Sequence, residues 1–225
     1  MGCYSWRGFS LAGVAMKVMR AIKPEKVYAA ARKNPLADIW AHLPFFCEVG
    51  RGNILEIGVH RGLSTSAFLL GVEKNGGHVY SIDVDRECGK LFRRHSQWTF
   101  FCMNSQDCAG VKAALRAAQP PADGVDALFD VLFIDGSHDE ADVKNDLRNY
   151  APLVKPGGLI LMHDVQEPED KSLLPRSGWV PGQLVGPRRA FDEFTQRTGW
   201  ECEIRPESWG LGIMHVPRGV SAASR

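Results

Sequence analysis

The sequence lacks any apolar run approaching the roughly 18 residues that a membrane-spanning helix requires. Its six cysteines include no C-x-x-C pair, which argues against a zinc site or a disulfide scaffold and favours free thiols. The formal net charge is only +1, so we expect no nucleic-acid partner. Lys17, Arg20 and Lys23 interrupt the apolar positions near the N-terminus and argue against a signal peptide. Together these absences favour a cytoplasmic protein without a membrane span.

The composition that is present suits one ordinary α/β domain with a short extension. The chain has 225 residues, of which 44% are hydrophobic and 24% are charged. Residues 1–52 carry an excess of Lys and Arg, whereas the remainder is mildly acidic. We therefore divide the chain into a helical N-terminal extension or cap at 1–52, a main domain at 53–218 and a C-terminal tail at 219–225.

Two helices are predicted in the N-terminal extension. Apolar residues between Leu11 and Ile22 recur at helical spacing, with basic residues between them. A second helix is expected over Leu36–Cys47, after Pro35. Such helices could cover the main domain or pair with a second copy of the chain, so a homo-oligomer formed through them is left open.

From residue 53 onward, apolar strands alternate with glycine-rich turns and helices. This alternation predicts a doubly wound, mostly parallel, seven-stranded Rossmann-like sheet whose last two strands form an antiparallel pair. The predicted strands are Asn53–Ile57, His78–Ile82, Thr99–Met103, Phe129–Ile134, Gly158–Met162, Trp200–Arg205 and Leu211–Val216. The predicted helices are Ser64–Glu73, Arg86–Arg94, Val111–Ala118, Ser137–Tyr150 (with Ser137 and Glu140 in capping-box spacing) and Pro187–Thr198.

Polar residues stand where the predicted parallel strands end. Ligands of such sheets bind beyond the carboxyl ends of the strands, so these side chains should face one site. They are Glu56, Asp83, Asn104-Ser105, Asp135 and His163-Asp164.

The segment ILEIGVHRGLST at 54–65 contains a strand, a tight glycine turn and the start of a helix. Gly58 and Gly62 would let the backbone approach a ligand that side chains would exclude. Their G-x-x-x-G spacing differs from the G-x-G-x-x-G of dinucleotide binding, which weakens an NAD-dependent reading. Asp83 follows at the next strand end, where an acid can accept hydrogen bonds from both hydroxyls of a ribose.

Residues 53–164 resemble the core of the class I S-adenosylmethionine-dependent methyltransferases. The E-I-G-x-x-x-G at 56–62 is similar to the first motif of that family, and Asp83 is similar to the acid of its second. The resemblance implies S-adenosylmethionine as cofactor, with Glu56 supporting its methionine end and Ser105 near its adenine. The cofactor-binding residues that it implies are Glu56, Gly58, Gly62, Ser64, Thr65, Asp83, Ser105 and Asp135.

Two further segments offer the means to activate an alcohol. A sulfonium methyl group needs no activation, but a hydroxyl acceptor must lose its proton to a base or have its pKa lowered by a metal. FIDGSH at 133–138 supplies Asp135 and His138, and GGLILMHDV at 157–165 supplies His163 and Asp164. Because the two segments end adjacent strands, both devices should reach one cavity.

The stretch from FIDGSH to LILMHD resembles a subgroup of small O-methyltransferases, which includes enzymes acting on sugar hydroxyls of macrolide natural products. The resemblance implies a divalent cation bound by Asp135, His163 and Asp164, with His138 as general base. His163 and Asp135 join His138 in the predicted catalytic set. His163 departs from the family pattern, which has an acid or amide there. A His ligand would favour manganese or iron over magnesium, or leave the site without a metal.

The acceptor side is predicted less sharply. The loop at 165–186 is long enough to act as a lid, and Phe45, Phe46 and the N-terminal helices could form the opposite wall. Three alternatives stay open: a methyltransferase acting on nitrogen or RNA, a catalytically silent cofactor-binding module, and, more distantly, an NAD-dependent oxidoreductase. An RNA-directed enzyme would need a basic or aromatic groove, and no such pattern is seen after the fourth strand.

Overall fold

The computed structural model describes residues 22–35, 38–119, 129–166 and 185–219. The helix predicted between Leu11 and Ile22 lies almost wholly outside these ranges, as does most of the loop predicted at 165–186. In the described part of the chain, every helix is too short or too polar to cross a bilayer. The cysteines in these ranges all carry free thiols.

The described residues place seven strands in one sheet: β1 (Gly52–Ile57), β2 (Gly77–Asp83), β3 (Trp98–Cys102), β4 (Phe129–Ile134), β5 (Val154–His163), β6 (Cys202–Arg205) and β7 (Leu211–His215). Their order across the sheet is β3-β2-β1-β4-β5-β7-β6. Strands β1 to β5 pair in parallel, whereas β7 runs antiparallel to both β5 and β6. The predicted mixed sheet with an antiparallel C-terminal pair is confirmed.

Six α-helices flank the sheet in these ranges: α1 (Pro24–Ala31), α2 (Leu43–Val49), α3 (Leu63–Asn75), α4 (Cys108–Ala118), α5 (Glu140–Tyr150) and α6 (Val185–Thr198). Single 3₁₀ turns stand at Trp40–His42, Cys88–Lys90 and Ala151–Leu153. The side chains of β1 alternate between the two faces: Ile54 packs in the core beneath α1, α2 and α3, and Leu55 in the core beneath α4, α5 and α6. The sheet is therefore covered on both faces, as a doubly wound fold requires.

The helix predicted over Arg86–Arg94 is wrong, because only the turn at Cys88–Lys90 forms there. Gly89 interrupts the segment, and a side chain on it would come within 2.6 Å of the Phe100 ring. The chain instead turns so that Phe92 is buried edge-on against Trp98 at 5.5 Å. Burial of one aromatic ring thus outweighs the helical pattern of the segment.

The capping box predicted for Ser137 and Glu140 is also wrong. The N-cap of α5 is Asp139, whose carboxylate accepts from the backbone N–H groups of Ala141 and Asp142. Ser137 instead donates its hydroxyl proton to the Asp142 carboxylate at 2.9 Å. Because α5 starts only at Glu140, the residues just after β4 remain outside the helix at the carboxyl edge of the sheet.

The N-terminal extension is more broken than predicted. The 3₁₀ turn Trp40–His42 and then α2 occupy the region where one helix was expected over Leu36–Cys47, because Pro44 fits only the first turn of a helix. The sequence analysis missed α1, which starts at Pro24 and has Glu25 in its first turn, both ordinary start signals.

Candidate active site

The glycine turn after β1 is bound directly to the end of β2 through Asp83. The backbone N–H groups of Val59 and His60 donate to Asp83 Oδ2 at 2.8 and 3.0 Å. The other oxygen, Oδ1, accepts from the Asp85 N–H at 2.8 Å. A carboxylate oxygen can accept more than one hydrogen bond, so Asp83 can hold the turn and still accept from a ligand.

The two glycines of the turn are required by contacts within the protein. Gly58 has a φ of +95°, and a Cβ there would lie 2.0 Å from the Asp135 carbonyl oxygen. Gly62 has a φ of +72°, and a Cβ there would lie 2.8 Å from the Phe92 ring. Both positions must be small because the turn lies against the end of β4 and the loop after β2. Approach of a ligand to the two glycines stays a prediction.

Glu56 lies fully buried beneath the turn and is held by three hydroxyl groups. Ser64, Thr65 and Ser81 donate to its carboxylate at 2.7, 2.8 and 2.6 Å. Burial raises the pKa of Glu56 to about 7, although the three hydrogen bonds act to lower it. Ser64 and Thr65 thus bind Glu56 and join β1 to α3. Direct contact of these three residues with a cofactor stays a prediction.

The loop that contains Ser105 is anchored on α5. The Tyr150 hydroxyl donates to the Ser105 carbonyl oxygen, and the Gln106 amide donates to Asp146 Oδ1 at 2.9 Å and to the Asp142 carbonyl at 3.2 Å. Burial is the main cause that raises the pKa of Asp146 to about 6. Gln106 and Asp146 were missed by the sequence analysis, because no spacing rule connects a loop to a helix some 40 residues away.

Asp135, His138 and Asp164 gather where β4 and β5 end. Each offers one oxygen or nitrogen atom, and these atoms all lie within 4.8 Å of one another. His138 Nε2 lies 2.7 Å from Asp164 Oδ2, in a position to donate to it. Asp164 also has a φ of +61°, which is uncommon for a residue other than glycine and is typical of functional sites. The cluster can hold a proton on a histidine or hold a divalent cation.

The contacts of His163 bear on its predicted role as a metal ligand. Its Nε2 donates to the Ser208 carbonyl at 2.7 Å, and its Nδ1 lies 3.4 Å from Asp135 Oδ1 and 3.3 Å from Asp164 Oδ1. Burial lowers the pKa of His163, but the charges of Asp164 and Asp135 outweigh burial and raise this pKa well above its usual value. A cation could bind Nδ1 only after its proton had left, so the predicted ligand role competes with ion pairing. The resemblance implies Asp135, His163 and Asp164 as ligands. Among the described residues, however, Asp135, His138 and Asp164 are the three that lie close enough together to hold an ion.

The surroundings shift the pKa values of Asp135 and Asp164 in opposite directions. Burial raises the pKa of Asp135, and the His163 charge only partly opposes it. For Asp164 the burial effect is outweighed by the His163 charge and by the His138 hydrogen bond, so its pKa falls below the usual range. The pKa of Asp164 therefore lies below that of Asp135, so Asp164 is the carboxylate that keeps its charge to lower pH.

A shallow, open depression with about 190 Å³ of free space, part of it open solvent, lies beside this cluster, between the ends of β4 and β5 and the start of α6. Asp135 and His138 of the cluster line it together with Ser137, Met162, His163 and Pro187. The pocket mixes apolar walls with a few polar groups, as sites for small molecules do.

The predicted acceptor wall is partly corrected. Phe46 is fully buried in the core, 4.9 Å from Phe68 and 5.0 Å from Phe133 between ring centroids, and such burial contributes roughly 1.5–3 kcal/mol. Phe45 lies beneath the Arg205 guanidinium at 3.9 Å. In the described part of the N-terminal extension, His42 approaches the site, because its ring stands edge-on to that of His163 with the ring centroids 5.9 Å apart.

Comparison with known families agrees with this geometry. Residues 55–165 match the model of a family described as a methyltransferase domain. The matched segment contains the glycine turn, Asp83 and the whole Asp135, His138 and Asp164 cluster. The match covers 111 of the 225 residues and agrees with the resemblance noted in the sequence. A search of proteins with curated functions found no match.

Solved structures share the fold. An O-methyltransferase from Bacillus cereus, solved in complex with SAH, is 18% identical with a TM-score of 0.57, over 86% of this chain and 90% of that chain. A Staphylococcus aureus protein assigned as a caffeoyl-CoA O-methyltransferase is 18% identical with a TM-score of 0.59, over 86% and 91%. The MycE methyltransferase of the mycinamycin biosynthetic pathway, solved with Mg, SAH and mycinamycin VI, is 15% identical with a TM-score of 0.57.

The alignment with MycE covers 89% of this chain but only 56% of that chain, so the protein spans little more than half of MycE. At these identities the likeness establishes the class I methyltransferase fold alone. The acceptor, the cofactor and the metal must be argued from the residues of this chain.

Proposed function

We propose that this protein transfers the methyl group of S-adenosylmethionine to a hydroxyl oxygen of a small acceptor molecule. One observation carries the proposal: the glycine turn and the proton-handling cluster touch. Gly58 lies against the Asp135 carbonyl, and the Asp135 N–H donates to the Ile57 carbonyl at 2.8 Å. A cofactor held by the turn would therefore lie next to the residues that can take up the proton of the acceptor.

His138 is suited to receive the proton of the acceptor hydroxyl. Its Nε2 faces the Asp164 carboxylate, which fixes the ring and favours a proton on that nitrogen, so Nδ1 carries the lone pair. The side chain of His138 is 26% exposed, whereas that of Asp164 is 4% exposed, so the histidine is the partner that an acceptor can reach. A buried acid that orients an accessible histidine is the arrangement of a general base.

The same residues fit a divalent cation. Asp164 Oδ1 is buried and makes no hydrogen bond, although it lies 3.3 Å from His163 Nδ1. Two carboxylates and one imidazole suit manganese or iron better than magnesium, which prefers oxygen alone. We propose that Asp135 and Asp164 would hold the ion, with either His163 or His138 as the nitrogen ligand. If His138 binds the ion, the ion takes the place of the histidine base as the activating group. Bound there, a cation would lower the pKa of an acceptor hydroxyl.

Asp83 and the exposed Val84 that follows it are proposed to contact the ribose and the adenine. Val84 is 70% exposed, which is unusual for a large apolar residue beside a cleft and fits a surface that a ligand covers. The sequence analysis did not single out Val84, although its place after the ribose acid was a usable signal.

The direct test is methyl transfer from labelled S-adenosylmethionine to a panel of small acceptors bearing hydroxyl, amine or thiol groups. We expect label on hydroxyl oxygens and loss of turnover in EDTA or in Asp135→Asn. Transfer only to nitrogen, or cofactor binding without transfer to any acceptor, would instead support the alternatives named above. Full activity in EDTA would remove the cation and leave the histidine base as the activating group.

Some features of the proposal rest on the sequence alone. We propose a cytoplasmic location, because the described cysteines are free thiols, and a small-molecule acceptor rather than nucleic acid. Assembly through the N-terminal helices stays a prediction. The division into a helical N-terminal extension or cap at 1–52, a main domain at 53–218 and a tail at 219–225 is likewise proposed.

A further inference from the structure

Two buried histidines donate to neighbouring carbonyl groups of one turn. His42 Nε2 lies 2.8 Å from the Glu207 carbonyl, and His163 Nε2 lies 2.7 Å from the Ser208 carbonyl. A carbonyl oxygen only accepts, so both nitrogens carry protons. The Ala41 N–H adds a third bond to the same turn, to Ser208 Oγ at 3.0 Å. The N-terminal extension is thus tied to the residue that holds His163.

The turn that accepts these bonds has an unfavourable backbone. Ser208 and Trp209 have φ values of +45° and +68°, followed by Gly210 at +80°. For residues other than glycine such conformations are unfavourable and persist only when the surroundings impose them. The Gln166 N–H donates to the Trp209 carbonyl at 2.9 Å, which joins the turn to the segment after Asp164.

From these contacts we infer that His42 is a positioning residue for the catalytic cluster. It holds the Glu207–Ser208 turn, the Ser208 carbonyl holds the His163 ring, and His163 lies between the Asp135 and Asp164 carboxylates. The inference rests on the proposed function, because it assigns His42 to the chemistry of that site. The sequence alone could not predict this role of His42, since His42 and Glu207 are 165 residues apart.

The alternative is that His42 merely fills the core. Its side chain is 2% exposed and its ring lies 6.4 Å from that of Phe46, so an apolar ring would pack there as well. Substitutions can distinguish the two roles, because packing needs the shape of the ring, whereas positioning needs the N–H group at Nε2. Phenylalanine keeps the ring without the donor, and glutamine keeps an N–H donor at similar reach without the ring.

The experiment compares His42→Phe with His42→Gln in the full chain. Its first readout is the imidazole N–H resonance of His163 in ¹⁵N-histidine-labelled protein, assigned by its loss in His163→Gln. We expect this signal to be protected from exchange in the wild type and in His42→Gln, and to be shifted or lost in His42→Phe. Should His42→Phe fail to fold, His42→Met supplies a flexible apolar replacement for the same comparison.

The second readout combines steady-state kinetics with a measurement of the affinity for S-adenosylhomocysteine. For His42→Phe we expect kcat to fall about tenfold to a hundredfold, as for displacement of a catalytic group by about 1 Å, with the affinity unchanged within about twofold. His42→Gln should recover kcat to within about threefold. An unshifted His163 signal and unchanged kcat in His42→Phe, or equal losses in both variants, would overturn the inference. If the wild type methylates no hydroxyl, the proposed function fails, while the resonance still decides whether His42 positions His163.

Discussion

His138 and Asp164 form a hydrogen bond of 2.7 Å across the ends of two adjacent parallel strands. The bond joins a partly exposed imidazole to a buried carboxylate, which is the asymmetry needed to aim a base at an acceptor. Neither residue is oriented by its own segment alone, because α5 starts two residues after His138 and Asp164 has a positive φ.

This bond predicts that His138→Ala lowers kcat by about 10²–10⁴, the usual contribution of a general base. His215 provides the control, because it is exposed and pairs with Leu159, toward the opposite end of β5 from the site. We expect His215→Ala to retain kcat within about twofold in the same methyl-transfer assay. A loss below tenfold in His138→Ala would reduce His138 to substrate positioning.

Asp83 predicts a separate effect on cofactor affinity. Its carboxylate holds the glycine turn and, as proposed, accepts from the ribose, so Asp83→Ala should weaken S-adenosylhomocysteine binding at least about tenfold in calorimetry. Asp85→Ala is the matched control, because that exposed carboxylate caps only the Glu87 N–H. Equal affinities for the wild type and Asp83→Ala would place the cofactor elsewhere.

A side chain at Gly58 should clash with the backbone, and the same substitution at Gly199 serves as the control without a clash. Both glycines have positive φ, but a Cβ at Gly199 meets no atom within 4 Å, whereas one at Gly58 meets backbone at 2.0 Å. Gly199→Ala should cost about 1 kcal/mol, or roughly 2–4 °C in Tm. Gly58→Ala should lower Tm further and weaken cofactor binding, because the turn must move away from Asp135. Identical melting and binding in the two variants would contradict the close contact.

Glu56 predicts how stability depends on pH. Its folded pKa of about 7 lies above the unfolded value of about 4.5, so the folded state keeps a proton that the unfolded state releases. The resulting stabilisation is fully present below pH 4.5 and is lost as the pH rises to about 7, a change on the order of 3 kcal/mol. The glutamine of Glu56→Gln does not titrate. The free energy of unfolding of this variant, measured in urea, should therefore rise relative to that of the wild type between pH 4.5 and about 7. Parallel pH curves for the two proteins would show that Glu56 is charged in the fold.

The strand ends were predictable because the signal is local. Apolar runs such as FDVLFI and LILMH end at acids, and the carboxyl ends of parallel strands meet at one edge by geometry. The pattern therefore predicts that Asp83, Asp135 and Asp164 share one edge of the sheet. Helix starts were predicted less well, since Asp139 rather than Ser137 caps α5 and a buried ring displaced the helix expected near Cys88.

What the sequence could not show is which side chains meet across the fold. The resemblance implied that His163 is a metal ligand, whereas its ring nitrogens face the Ser208 carbonyl and two carboxylates. Likewise Ser64 and Thr65 lie next to the glycine turn but donate to Glu56. Such partners are chosen by packing between distant segments, which spacing rules do not contain.

The central claim is that the glycine turn, Asp83 and the Asp135, His138 and Asp164 cluster surround one methyl donor. A crystal structure with S-adenosylhomocysteine and manganese tests it most directly. We predict the ribose hydroxyls at Asp83, the sulfur facing Asp135, and anomalous scattering from manganese between the two carboxylates. A nucleoside bound away from Asp83, or a sulfur turned from the cluster, would contradict the account.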